Sequence, residues 1–415
     1  MRPNDLPTES AQTNPERPAR LLQIDVMRLL ICASVVATHV VGNANPINSV
    51  APNAVTNLLH YTRQAFFFIS ALVLVHAYRE GRPGQLRRRV SVLGVPYVVW
   101  STIYAVIGLA VAWSWWAAER LPWTWFAGLL QGTDGYHMYF LLVSVEFAVV
   151  FPLFVKLLRA TRGHHGLLLV VSGAVELGLM ALYHYVYLPD GWWRAVAGES
   201  SLTAYQFWVV AGGVAALHLD RFDRWVTGHR RLVWGLLGLI CAGATAVFLA
   251  DVARGEPAEY ASRSLQPVTV PLSLAAIGAF YLLSVRLAAI RQPTARRLIV
   301  AGTYLSFGIY LSHPALLTGL LYLQKALPGS VTRHAAAVTV VLCVVDFALA
   351  VAIAELLSRT RWSKALVGRP RKAAAPRADA SPNSPAAAPL PAPATAGPIA
   401  ERVAVERPAP APARS

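Results

Sequence analysis

The sequence predicts an all-α, polytopic membrane protein with about ten transmembrane helices and both termini in the cytosol. Hydropathy, scarcity of charge and the placing of the arginines carry that expectation. The chain has 415 residues, of which 55% are hydrophobic and only 14% charged. Soluble domains carry roughly a quarter charged residues, which they need to cover their surface. A helix crossing the hydrocarbon core needs about 20 mostly apolar residues. Ten stretches qualify: 21–42, 57–78, 91–113, 136–155, 167–188, 202–219, 232–250, 265–290, 298–324 and 335–357. The first does not read as a signal peptide, being too long for an h-region and carrying Asp25 and Arg28.

Orientation follows from the positive-inside bias. With the N-terminus inside, the cytosolic segments hold Arg2, Arg17 and Arg20, then Arg79, Arg82 and Arg87 to Arg89, then Lys156, Arg159 and Arg162. Arg221, Arg224, Arg230 and Arg231 follow, then Arg286, Arg291, Arg296 and Arg297, and finally the run from Arg359 to Lys372. The outer loops hold only Arg120, Arg194, Arg254, Arg263, Lys325 and Arg333. This alternation supports ten spans. It also accounts for the net charge of +16 without nucleic acid, which would call for a folded basic domain.

The organisation expected is a polar cytosolic leader (1–20), a membrane domain (21–365) and an Ala/Pro/Arg-rich tail (366–415) too poor in large apolar residues to fold. Trp113, Trp115, Trp116, Trp123 and Trp125 crowd one outer loop. They read as an interfacial belt, with a sugar-stacking platform as the alternative. Cys32, Cys241 and Cys343 lie in apolar runs and imply no disulfide framework.

Ionisable residues within membrane helices are costly, and each is a functional candidate with a partner to be found. Asp25, Arg28 and His39 share the first span. Eleven residues turn a helix by about 1100°, so Arg28 and His39 lie roughly 20° apart around it and about 16 Å apart along it. Asp25, three residues before Arg28, can pair with it. A snorkelling boundary pair and an interhelical histidine would be the structural roles for these residues. His137 opens the fourth span. Tyr310 and His313 share a face in the ninth, beside a Pro314 that frees a helix carbonyl. Glu146, Glu176, Asp346 and Glu355 are the remaining acids in or near spans. The histidines lack metal-ligand spacing, so no metal is expected. The absence of a Gly-x-Ser-x-Gly elbow argues against a serine hydrolase. A histidine general base oriented by one of these acids would suffice for proton-transfer chemistry.

Together these residues resemble a known family. Asp25, Arg28 and His39 look like the first helix of the acyltransferase-3 family of integral-membrane O-acyltransferases. Phe66-Phe67-Phe68-Ile69-Ser70-Ala71 resembles its second-helix phrase, with Ala71 where glycine is usual. Arg87 to Arg89 before Pro96-Tyr97 resembles its basic loop into helix three, although the usual Arg-x-x-Arg would pair Arg89 with Val92 here, and Arg79 and Arg82 carry that spacing earlier. His137-Met138-Tyr139-Phe140 and Phe307 to Pro314 are similar to two later phrases.

The resemblance implies transfer of an acyl group, acetyl or another short one, from cytosolic acyl-CoA as co-substrate to a hydroxyl of a sugar-containing or other acceptor. The setting would be a bacterial-type plasma membrane. His39 would act as base, with Arg28, Asp25, His313, Tyr310 and His137 around the reacting groups. Arg79, Arg82, Arg88 and Arg89 would hold the CoA phosphates, for which arginine is well suited. The alternative is a proton-coupled transporter or exporter of a glycan or polyol, built on the same intramembrane set.

Overall fold

The computed structural model describes residues 21–79, 85–186, 198–327 and 335–371; of Arg79 and 85–89 it describes the backbone alone. Every regular element among the described residues is helical. In chain order they are α1 (Leu22–Ala44), α2 (Val50–Leu59), α3 (Tyr61–Arg79), α4 (Gln85–Val111), α5 (Trp115–Gln131), α6 (Met138–Ala160) and α7 (His165–Tyr185). A short 3-10 turn, Leu202–Tyr205, leads into α8 (Gln206–Leu217), followed by α9 (Leu219–Gly228), α10 (Arg230–Ala253) and α11 (Ala258–Ala261). The last four are α12 (Thr269–Ala288), α13 (Pro293–Lys325), α14 (Ala335–Arg359) and α15 (Ser363–Val367). The chain is an all-α polytopic membrane protein, as its hydropathy requires.

Eight segments among the described residues are long and apolar enough to cross a membrane: α1, α2 with α3, α4, α6, α7, α10, α12 and α14. The expected span at 202–219 ends in a sharp bend, where α8 and α9 meet at an angle of 97°. The expected span at 298–324 lies inside the 33-residue α13, which buries Thr303, Ser306, Tyr310, Ser312 and His313. Those polar side chains keep α13 below the apolar standard the other spans meet. Ten stretches thus become eight clear spans, one bent one and one helix whose polar groups face protein. Backbone groups in hydrocarbon must pair internally, so helices are the structure open to such segments.

The tryptophan-rich stretch forms α5, opened by the Ser114 hydroxyl accepting from the Ala117 N–H at 3.1 Å. Trp115 and Trp123 are more than three-quarters exposed, and the Arg120 guanidinium sits 4.3 Å from the Trp116 ring. The folded unit also continues past residue 365. Val367 is buried against Gly308, and the Trp100 indole donates to the Leu366 carbonyl at 2.9 Å. The rest of the expected tail, 372–415, lies outside the described residues, as does the leader.

Two apolar clusters form the core. One joins α3, α6, α8 and α12; the other joins α1, α4, α13 and α14; Phe66 and Phe140 pack against both. The tightest contact is α3 on α8, where a Cβ at Gly212 would collide with the carbonyl oxygen of Phe68. Small residues permit such backbone approach where no hydrophobic force drives helices together. Gly212→Ala is therefore expected to lower stability by about 1–3 kcal/mol, the usual cost of overpacking. Thermal unfolding in detergent beside wild type measures it, and an unchanged midpoint would mean that α3 and α8 do not meet this closely.

Candidate active site

The site sits where the two apolar clusters meet, in the half of the bundle remote from the arginine-rich ends of α6, α9 and α14. His39 lies 17 residues into α1, about 26 Å along it. Its ring stacks on His313 of α13 (centroids 5.5 Å apart, 29° between planes) and packs on Tyr136 at 4.6 Å. His137, immediately before α6, lies 5.7 Å from His313 and 5.3 Å from Tyr310. The structure thus brings together four of the residues the sequence singles out, from three separate helices.

Local chemistry fixes their orientations. Pro314 has no N–H, which frees a carbonyl in the preceding turn of α13. That carbonyl is Tyr310's; the His313 Nδ1–H donates to the neighbouring Ile309 carbonyl at 3.2 Å, which leaves Nε2 as the acceptor nitrogen. That Nε2 and both ring nitrogens of His137 are buried without a hydrogen-bond partner among the described residues. The Tyr310 hydroxyl donates to the His137 carbonyl at 2.6 Å, so its one proton holds the turn that presents His137. Unpaired buried polar atoms are costly in a protein interior, and they cluster here.

A narrow cavity of about 20 Å³ opens among Thr38, His39, Thr62, Arg63, His137 and Tyr310. That is room for about one water molecule. His39 and His137 line it, whereas His313 stands behind His39.

Arg63 is the residue the sequence reading passed over. It lies in the second expected span, where an ionisable side chain should itself have been the signal. Its Nη1 pairs with Glu199 at 2.7 Å and donates to the Ser264 hydroxyl, which in turn donates to the same Glu199 oxygen. The guanidinium stands 5.4 Å from the Tyr139 ring. Burial alone would raise the Glu199 carboxyl, but the Arg63 cation beside it prevails and holds it below the usual range. Nothing local in the sequence marks Glu199, which acquires its partner only through the fold.

The four candidate acids separate clearly. Glu176 is committed to the Trp208 indole (3.0 Å), the Gln206 amide (3.1 Å) and the Phe207 N–H, and so ties α8 to α7. Glu355 pairs with Arg359 and Glu146 accepts from the Leu202 N–H. Asp346 is fully buried with both oxygens unpartnered among the described residues. Burial, reinforced by the Asp346 charge, raises the Tyr136 phenol far above its ordinary value. The Asp346 charge is thus felt at Tyr136, which packs on His39. Among the described residues no carboxylate hydrogen-bonds to His39.

Asp25 and Arg28 form the expected pair at 3.4 Å, one to two turns into α1 and remote from the cavity. Arg82 lies outside the described residues. Arg79, Arg88 and Arg89 lie on helical backbone, with side chains outside what is described.

Comparison with curated proteins and with solved structures gave no match. The profile of the acyltransferase-3 family, described as an acyltransferase domain, matches residues 21–355. That stretch runs from the start of α1 to the last turn of α14 and includes every residue of the cavity. The chain belongs to the acyltransferase-3 family and is a membrane acyltransferase acting on groups other than aminoacyl.

Proposed function

We propose that the protein moves a short acyl group from cytosolic acyl-CoA to a hydroxyl of a sugar-containing acceptor, with His39 as general base. The observation that carries this reading is that His39, His137 and the Arg63 cation line one water-sized cavity inside the membrane domain. A space of that size suits a single hydroxyl. The acceptor O–H would give its proton to His39 while its oxygen attacks the thioester carbonyl carbon. The oxyanion that forms needs a donor, and Arg63 supplies a cation already oriented by Glu199 and Ser264. Its fork has five N–H groups, and Nη1 alone serves those two partners. Collapse of the adduct breaks the C–S bond, and the thiolate leaves as CoA thiol with the proton that His39 took up. The products are an ester and free CoA. His313 backs the His39 ring and Tyr310 holds the His137 turn, so both act as positioning groups. With the arginine-rich helix ends facing a bacterial-type cytosol, donor and acceptor approach from opposite sides.

Proteoliposomes supplied with radiolabelled acetyl-CoA and a glycan and glycolipid extract test the reaction class. Thiol release matched by label in a glycan supports acyl transfer. Movement of glycan across the bilayer with acetyl-CoA and longer acyl donors left intact would overturn it in favour of transport.

A further inference from the structure

A second cavity lies far from His39, at the bend between α8 and α9. It measures about 570 Å³ and is lined by His76, His218, Asp220, Arg221 and Arg224, a size ordinary for a small-molecule site. Arg221 and Arg224 are three apart on α9 and so share a face. His218 sits at the break itself, its Nε2 2.9 Å from His165 Nδ1. His76 enters from α3. The positive-inside bias explains cations at this end of the bundle, but not that both arginines of α9 line one concavity, made by a 97° bend, with His76 of α3.

The chemistry is that of a phosphate site. Two guanidinium groups offer planar pairs of donors to phosphate oxygens, against the single carboxylate of Asp220. The first N–H groups of α9 open at the same bend. Helix α3 also reaches both cavities, with Thr62 and Arg63 at the small one and His76 at the large one. Thirteen residues separate Arg63 from His76, about 20 Å along the helix. An extended pantetheine arm of roughly 15–20 Å spans that distance. Thr62 and His76 fall within about 40° of one another around α3, so one face of the helix runs from one cavity to the other.

We propose that the cavity at the α8–α9 bend binds the phosphate-bearing nucleotide end of the acyl donor, with Arg221 and Arg224 as its principal ligands. The assignment rests on the acyl-transfer reading for the identity of the donor. It adds a phosphate site to the arginines of the α3–α4 connection.

The full chain in nanodiscs of neutral phosphatidylcholine provides the test, with free CoA and adenosine 3′,5′-bisphosphate as calorimetric probes. The Arg221→Ala/Arg224→Ala double variant is expected to bind both about a hundredfold more weakly, since each of the two lost charged contacts is worth about tenfold. Its KM for acetyl-CoA should rise with little change in kcat, while turnover of acetyl-pantetheine, which lacks the nucleotide, stays at the wild-type level. The Arg230→Ala/Arg231→Ala variant removes equal charge from the start of α10, outside the cavity, and should bind within about twofold of wild type. Unchanged CoA binding by the first variant, or equal weakening by both, would overturn the proposal. So would displacement of CoA from wild type by an anionic phospholipid in the nanodisc, which would make the cavity a headgroup site. Arg221-dependent CoA binding by a wild type that transfers no acyl group would leave the phosphate site standing and sink the acyl-transfer reading.

Discussion

His39→Ala is expected to lower kcat for acyl transfer by about 10²–10⁴-fold, the usual contribution of a positioned general base. The imidazole lines the small cavity together with Thr38 and Thr62, so a hydroxyl placed there meets a ring nitrogen before any carboxylate. Its ring is held from two sides by Tyr136 and His313. The loss should fall on kcat, with KM for acyl-CoA little altered, because the phosphate site proposed for the donor lies at the other end of the bundle. His39→Gln keeps bulk and hydrogen bonding but cannot accept a proton at neutral pH, and should be as inactive as alanine. His313→Ala removes only the stacking partner and should cost less. Single-turnover rates with excess protein measure the chemical step directly. A His39→Ala rate within threefold of wild type would move the base to another residue, with His137 next in line as the remaining cavity histidine.

Arg63→Gln is the second large effect, expected to reduce kcat by about 10²–10³-fold, the cost of deleting an oxyanion donor. The same change leaves Glu199 without its cation. Removing one member of a buried pair costs about 3–5 kcal/mol, and the Glu199 side chain is 36% exposed, so the low end of that range or less applies. Stability and chemistry are separable here. Arg63→Met with Glu199→Leu removes both charges at once, and such paired replacements are often neutral for stability. The double variant should therefore unfold near the wild-type temperature yet remain as slow as Arg63→Gln. Arg63→Lys keeps the charge without the planar fork and should recover only part of the rate. Recovery of activity along with stability in the double variant would reduce Arg63 to a purely structural role.

How far the sequence reached can be seen residue by residue. The Asp25–Arg28 pair was legible because a three-residue spacing within one helix sets the geometry locally. The shared face of Tyr310 and His313 was legible in the same way, from a three-residue spacing within one helix. Arg63 was within reach too, since the rule that flagged Asp25 applied equally to it. Glu199 was not, because its partner comes from a distant helix. The choice among Glu146, Glu176, Asp346 and Glu355 was likewise closed to the sequence. The fold commits three of them to other groups and leaves both Asp346 oxygens unpartnered among the described residues.

What the sequence determined by itself is the class: a helical membrane bundle with its cations gathered at alternate span ends. Transfer of a segment into hydrocarbon depends on that segment's own composition, and helix is the conformation that pairs its backbone there. What only the tertiary structure decided is direction and neighbourhood. Hydropathy registers residues 202–219 as apolar but not that the chain turns by 97° at their end. It scores the buried hydroxyls of α13 as polar without knowing that protein covers them. The meeting of His39, His137, His313 and Arg63 depends on helix packing, in which small residues such as Gly212 let particular backbones approach. That interaction is non-local, and no window along the chain contains it.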